Sequence, residues 1–523
     1  MIIITTIFSV CFSAAIFFSI EMPTDFTTVS YLGITLPDVW LFCIIWVVIT
    51  AIFCVIQKLL DDISIELGTG HLPPLLNYIL ILMAWLPFFL AFYPGNLSPD
   101  SYSSIHQAIN QINSTAHPVL FTLLVKLCVQ TGLLFFGNMN AGVAVFSVVQ
   151  MLILDGILTY TVQWLQKHHA PRWWLVLSVA YFALNPLIVR FSFTMWKDIL
   201  FSGVILLLVL FLYDLVTGVV HLEENTTLAR FLLLSVLAAF LRNRIIYAMI
   251  AIFILLLILY RLQWKRLAPA FFLTAVITLL IQGPLYHYLN IKPSNFAEGQ
   301  GVTLQQLAAV VVNDGSLTEE EKAFLNHIIP IEDIPKAYHA GSVDYLKGYE
   351  TFSHDFLNSH SAEYLQVWRS VVRKNPWISI KAWLMNTRGF WGFGVWIEPF
   401  AVTWPSERLN IHQINIVQNM TGVDLCYLSN GILVNLGKVP VLRRIFELGS
   451  LCWLGAFLCL RLIVKKRYAV LVSVLPLIML WLVLIATTPV FFEVRYMFAF
   501  HLALPVLGCM LMMGETMDLP RLN

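Results

Sequence analysis

The sequence predicts an all-α polytopic membrane protein of about 12 transmembrane helices, with interfacial helices in a first outer loop and a large, mainly helical extracytoplasmic segment. Three observations carry that expectation. Of 523 residues, 59% are hydrophobic and only 12% are charged, against about 45–50% and about 25% in an ordinary soluble protein. Apolar runs close to the roughly 20 residues that cross hydrocarbon recur along the chain. Lys and Arg gather in short connectors between these runs, as they do on the cytoplasmic side of membranes.

Spans fall near residues 2–20, 38–57, 74–93, 139–163, 173–190, 199–217, 229–241, 245–262, 267–285, 446–464, 468–486 and 496–514. The first lacks a basic flank and a small-residue cleavage site, so it reads as a retained span. Cys11, Cys43, Cys54, Cys128, Cys452, Cys459 and Cys509 lie in apolar runs, and Cys426 in a long polar region. The absence of any CxxC or Cys/His cluster argues against a zinc site and a disulfide framework. A net charge of +1 says nothing about nucleic acid, the useful charge information being where Lys and Arg fall between the spans, and no nucleic-acid partner is expected of such a membrane protein.

The run 119–136 is also long enough to cross, yet it carries Lys126 and is bounded by His117-Pro118 and Gly137-Asn138. If it lies along the outer surface, the clusters Lys167/Arg172, Arg261/Lys265/Arg266 and Lys465/Lys466/Arg467 share one side. If it crosses, the spans before and after it disagree about which side is inside. The run is therefore expected to be interfacial or re-entrant, with both termini cytoplasmic. The chain then divides into two additional N-terminal spans (1–73), a membrane core (74–285) with outer loop 94–138, an extracytoplasmic region (286–445) and C-terminal spans (446–523).

Region 286–445 is too long for an ordinary connection. Thr318 and Glu321 have capping-box spacing, which marks a helix start. A helical pattern over 361–386 breaks at Asn375-Pro376 and carries Trp368, Trp377 and Trp383, as expected of helices at the headgroup level.

Four polar groups collect on the expected outer face. Tyr93-Pro94-Gly95 leads to Asp100, then Tyr102, His106 and His117-Pro118. A carboxylate at the end of a span can stay ionised and still meet a lipid-linked substrate, although Ser-Pro-Asp is also ordinary helix-start chemistry. Lys197-Asp198 opens a span, where it suits either function or simple snorkelling of Lys with Asp at a helix N-terminus. Arg242-Asn243-Arg244 forms a tight turn on the side where Arg is unusual, and its guanidiniums suit phosphate oxygens or a carboxylate partner. Glu493-Val494-Arg495-Tyr496 opens the last span.

These residue types fit transfer from a phosphate-linked lipid donor. Arg242, Arg244, Arg495 or Lys197 would stabilise the leaving phosphate, and Asp100 would act as base toward an acceptor hydroxyl. Should a divalent cation such as Mg or Mn take part, Asp100 and Asp198 are its oxygen ligands.

The ordered set Tyr-Pro-Gly…Asp, His-Pro, Trp-Lys-Asp and Arg-Tyr resembles the GT-C superfamily of integral-membrane glycosyltransferases, nearest to multi-pass proteins of Gram-positive bacteria, over about residues 78–500. The resemblance implies a polyprenyl-phosphate sugar donor and a cell-envelope glycan or lipid acceptor. It implies a catalytic role for Asp100 as base or acceptor-positioning group and a second acidic role for Asp198. Arg242 and Arg244 then face the donor phosphate, and Tyr102, His106, His117 and Tyr496 support the site. Many relatives have adjacent acidic residues where Asp100 stands alone. The expected location is the cell membrane, with the active site on the extracytoplasmic face and membrane lipids around it. A flippase of lipid-linked saccharides and a polysaccharide polymerase or ligase are the other classes that fit these charges.

Overall fold

The computed structural model of the protein describes residues 2–22, 35–62, 68, 70–110, 114–242, 246–260, 264–394, 431–432, 434–435 and 438–512. Among these residues the ordered elements are helices, and β pairing is confined to isolated bridges. The first twelve helices are α1 (Ile2–Glu21), α2 (Leu36–Asp62), α3 (Pro74–Ala91), α4 (Pro99–Ile109), α5 (Val119–Phe136), α6 (Met139–Lys167), α7 (Arg172–Leu184), α8 (Pro186–Ser192), α9 (Lys197–Val216), α10 (Asn225–Leu241), α11 (Ile246–Leu259) and α12 (Trp264–Leu280). Among the described residues nine helices are long and apolar enough to cross a membrane, or ten if α7 and α8 form one bent span. The protein is therefore a polytopic, all-helical membrane protein.

α9 is the centre of the bundle. It is apolar all round and almost wholly buried, packing against α6, α10 and the helices Tyr468–Thr487 and Phe498–Met512. A helix without a polar face is stable only when neighbours or lipid surround it. The expected span 173–190 is broken at Asn185-Pro186 by a 55° bend. Pro186 has no N–H to continue the first helix, and the Asn185 side chain caps the second by accepting from the N–H groups of Leu187 and Ile188 at 2.9 and 3.3 Å.

The helix ends sort into two groups. At one end Leu72 bonds Gln166, Lys167 pairs with Asp214, Tyr260 reaches the Leu215 carbonyl, and Asp61 pairs with Arg461 and Lys465. Several of the basic residues named above lie together there. At the other end stand the start of α4, the start of α9, Arg242 at the end of α10, and residues 493–496. The N-terminal pair α1 and α2 packs on Leu448–Val464 through Phe8, Phe53, Trp453 and Phe457.

The Ser147 hydroxyl donates to the Pro94 carbonyl at 3.0 Å. The chain thus leaves the level of residue 94 and is back at it by residue 147. From there α6 runs without a break to Lys167 at the far end. Residues 95–146 make no net crossing, and α5 with the first turns of α6 forms a hairpin at the end that carries Asp100. α5 itself has the length and apolarity of a span. One face of α5 packs on α4 and α6 through Phe121, Val125 and Val129. The stripe Leu120, Leu123, Leu127 and Leu134 is exposed.

Residues 296–391 form a helical unit at the same end. Thr318 and Glu321 make the expected capping box, Glu321 Oε2 accepting from the Thr318 N–H at 2.8 Å. The helix Ser361–Lys374 stops at Asn375-Pro376, and Pro376–Trp391 descends into the bundle, where Trp383 donates to the Ile485 carbonyl at 2.9 Å.

Candidate active site

Two loops build the floor of the site. Gly95 has φ +150°, and a Cβ there would stand 2.2 Å from Ser147 Oγ, so the first loop can lie against α6 only with glycine at this position. Asn96 then runs beside Thr194: the Asn96 N–H donates to Phe193, the Met195 N–H donates to Asn96, and Asn96 Nδ2 donates to Thr194 Oγ1 at 2.9 Å. Trp196 Nε1 donates to Ser98 Oγ at 2.6 Å, and Ser101 Oγ donates to the Met195 carbonyl at 2.9 Å. Gln150 of α6 closes the underside, donating from Nε2 to the carbonyls of Phe191, Ser192 and Thr194. Arg190 is buried over the Phe92 ring and donates to Asn96 Oδ1 at 3.1 Å. These bonds stitch the motif around Asp100 to the motif around Asp198.

On this floor sit two arginine–aspartate pairs. Arg495 Nη1 donates to Asp100 Oδ2. Arg242 Nη1 donates to Asp198 Oδ1 at 3.0 Å. Tyr496 links the pairs, because its ring lies 5.0 Å from the Arg242 guanidinium and 5.2 Å from that of Arg495. Phe201 on α9 and Trp196 complete the aromatic bed, at 5.3 Å from Arg242 and 4.9 Å from Arg495. Cations held over ring faces gain electrostatic attraction while staying poorly hydrated. Lys197, half-buried at the start of α9, interacts with both Asp198 and Asp100. The group therefore holds three cations and, counting Glu493, three carboxylates.

Electrostatics separates these groups. Burial pushes the Asp100 carboxyl up, but Arg495, Lys197 and His117 outweigh it and hold the group at about 2. His117 is pushed down to about 4 by burial and by Lys197, so its ring is neutral at physiological pH. Glu493 is raised by burial, with Arg495 opposing and Asp198, Asp100 and Asp344 adding to the rise.

The structure thus brings together Asp100, Asp198, Arg242, Arg495, Lys197, His117 and Tyr496. It does not bring Tyr102 to the charges: that ring is buried among Leu97, Ile105, Phe121 and Phe146, where it fastens α4 to the hairpin. His106 stands half-buried in the last turn of α4, away from the first turn that carries Asp100. Arg244 lies outside the described residues. Among the described residues no group of three or more His, Cys, Asp or Glu side chains could hold a metal ion. Asp100 and Asp198 each face a guanidinium, and the donor set as built suits an anion.

Three contributors were not singled out from sequence. Glu493 was read only as a neighbour of Arg495, while Gln150 and Arg190 were hidden in apolar runs. A lone Arg or Gln in such a run is the available signal, since buried polar groups there need partners.

The helical unit of residues 296–391 holds the segment that leads to Arg495. Asn386 Nδ2 donates to the Thr488 carbonyl at 2.9 Å, the Val343 N–H to Pro489, and the Phe491 N–H to Gly341. The Gly389 N–H donates to the Phe491 carbonyl, and a Cβ on Gly389 would stand 2.1 Å from that oxygen. Residues 488–492 are therefore clasped before the chain turns into the site.

No curated protein and no solved structure matches the chain. Residues 108–518 match a family of unknown function, DUF6020. That match takes in Asp198, Arg242 and Arg495 and covers well over half of the chain, so the protein belongs to the family DUF6020.

Proposed function

We propose that the protein is a GT-C-type membrane glycosyltransferase that moves a sugar from a polyprenyl-phosphate donor to a cell-envelope polysaccharide, teichoic acid or glycolipid. The observation that carries this reading is the pairing of Asp100 with Arg495 beside the pairing of Asp198 with Arg242, across one aromatic bed at one end of an apolar bundle. Arginine forks suit phosphate oxygens, and a site at a bundle end admits a lipid-linked donor from the membrane. Arg242, Arg495 and Lys197 bind the donor phosphate and stabilise charge on it as it leaves. Asp100, at the solvent-exposed edge, receives the acceptor hydroxyl.

In this reading the reactive end faces the outside of the cell membrane, because the basic connectors collect at the opposite end. With α5 in the outer hairpin, the bent pair α7–α8 and the shorter helices Asn225–Leu241, Ile246–Leu259 and Leu448–Val464 bring the spans to about 12. The test is mass spectrometry of envelope polymers and glycolipids from a deletion strain complemented with wild type or with Asp100→Asn. A sugar lost in the deletion strain, restored by wild type and not by the variant, supports the reading. Unchanged envelope sugars in the deletion strain sink it.

A further inference from the structure

The three carboxylates of the site are not equivalent. Asp198 has a side chain only 3% exposed: its Oδ1 is bonded to Arg242, and its Oδ2, without a partner, is buried out of reach of an incoming hydroxyl. Asp100 is 41% exposed, but one of its oxygens is taken by Arg495 Nη1. Glu493 is 30% exposed, and its Oε1 lies 3.3 Å from Arg495 Nε without the alignment of a hydrogen bond, for that Nε has no hydrogen-bond partner. Among the described residues Glu493 is the one carboxylate of the cluster whose side chain makes no hydrogen bond.

Resting on the glycosyltransferase reading, we infer that Glu493 is the group that receives the acceptor's proton, and that Asp100 orients the acceptor hydroxyl. The acceptor oxygen forms a new bond to the anomeric carbon while its proton passes to Glu493 Oε. The bond from the anomeric carbon to the phosphate oxygen breaks, and its electron pair leaves on the phosphate. The phosphodiester monoanion becomes a phosphate monoester dianion, and the second negative charge is matched by the proton that neutralises Glu493. Arg495 touches both sides of this exchange, through Nη1 toward Asp100 and Nε toward Glu493.

A base near neutral basicity accepts a proton more effectively than a strongly acidic carboxyl. Glu493 is shifted in that direction: burial raises it, Arg495 opposes, and Asp198, Asp100 and Asp344 add to the rise. Asp100, at about 2, is too weak a base to hold a proton at physiological pH.

Two measurements test the assignment. The first labels full-length protein in lipid nanodiscs with dicyclohexylcarbodiimide, which reacts with protonated carboxyls, between pH 5 and 8. Glu493 should be modified, with labelling falling as pH rises, while Asp100 stays unmodified. Labelling of Asp100 without Glu493 overturns the proposal. The second complements the deletion strain with Glu493→Gln, Glu493→Asp or Asp100→Asn, each checked for membrane level. Glu493→Gln should lower product by about 10²–10⁴-fold, the usual contribution of general base catalysis, with partial rescue by Glu493→Asp. Wild-type product in Glu493→Gln beside loss in Asp100→Asn overturns the Glu493 assignment alone. Wild-type envelope sugars in the deletion strain overturn the glycosyltransferase reading and the assignment with it.

Discussion

Arg495 donates from Nη1 to the carboxylate of Asp100 across 395 residues of sequence, and the same guanidinium lies over the Trp196 ring. One side chain thus joins the first loop, the start of α9 and the last span. In the proposed reading Asp100 and the donor phosphate compete for the Arg495 guanidinium.

Removing that internal competitor should strengthen anion binding. A pair with one partner substantially exposed is worth about 0–1 kcal/mol, so Asp100→Asn should bind a short-chain prenyl phosphate up to about fivefold more tightly. Calorimetry on protein in nanodiscs checks this. Weaker binding by the variant would show that Asp100 helps to hold the anion.

Asp198 depends on Arg242 far more. Its side chain is 3% exposed, and stranding a buried charge costs about 3–5 kcal/mol. Arg242→Ala should therefore lower the melting temperature clearly, and Asp198→Asn in the same chain should recover most of the loss. Thermal unfolding of the two single variants and the double variant measures the coupling, and simple additivity would contradict it.

Gln150 is expected to matter for folding without touching any substrate. Gln150→Leu removes the side-chain donor to the carbonyls of Phe191, Ser192 and Thr194; those of Phe191 and Thr194 still accept from the N–H groups of Thr194 and Trp196, and an unsatisfied buried carbonyl such as that of Ser192 costs about 1–3 kcal/mol. The expected outcome is a drop of several degrees in melting temperature, with a larger drop than for Gln130→Leu on the exposed face of α5.

Gly389→Ala should damage the site from a distance. Its Cβ would meet the Phe491 carbonyl at 2.1 Å and displace the segment before Glu493 and Arg495. Envelope sugar transfer should fall at least tenfold while the protein level in the membrane holds within twofold, as for a misplacement of catalytic groups. Full activity would show that residues 488–492 tolerate the shift.

The pH dependence has a definite sign. The Asp100 carboxyl is lowered from 3.8 to about 2, so its stabilisation is fully present above 3.8 and is lost only as pH falls through about 2. His117 is lowered from 6.5 to about 4, so stability declines as pH falls across that interval, where the unfolded chain takes up a proton and the fold does not. Glu493 is raised above 4.5, and activity should rise as it loses its proton. An initial-rate profile should show an acid limb above pH 4.5 in wild type and none in Glu493→Gln. A limb that persists in Glu493→Gln would assign it to another group.

Much of this was legible from residue order alone. Sidedness of Lys and Arg led to the expectation that Asp100, Lys197, Asp198, Arg242 and Arg495 share one end, and the structure gathers their side chains around one aromatic bed. The break at Asn185-Pro186 was missed because an apolar run hides a bend that only the missing proline N–H and the Asn185 cap produce. Tyr102 was misplaced because, two residues after Asp100 on α4, it lies on nearly the opposite face of the helix and points into the hairpin core. The roles of Gln150 and Glu493 depend on contacts across 41 or more residues and on alignment within a side chain, neither of which a linear pattern encodes.

The clasp on residues 488–492 also bears on biogenesis. Asp100, Asp198 and Arg242 leave the ribosome early, and the outer helices through Trp391 follow with a slot that no earlier part of the chain fills. Only the late segment fills it and delivers Arg495. A chain interrupted before residue 488 lacks the Arg495 partner of Asp100 and the residues that Asn386 and Gly389 bond. Completion of the site then coincides with insertion of the last span, so a partial translation product carries neither the Arg495 cation nor Glu493.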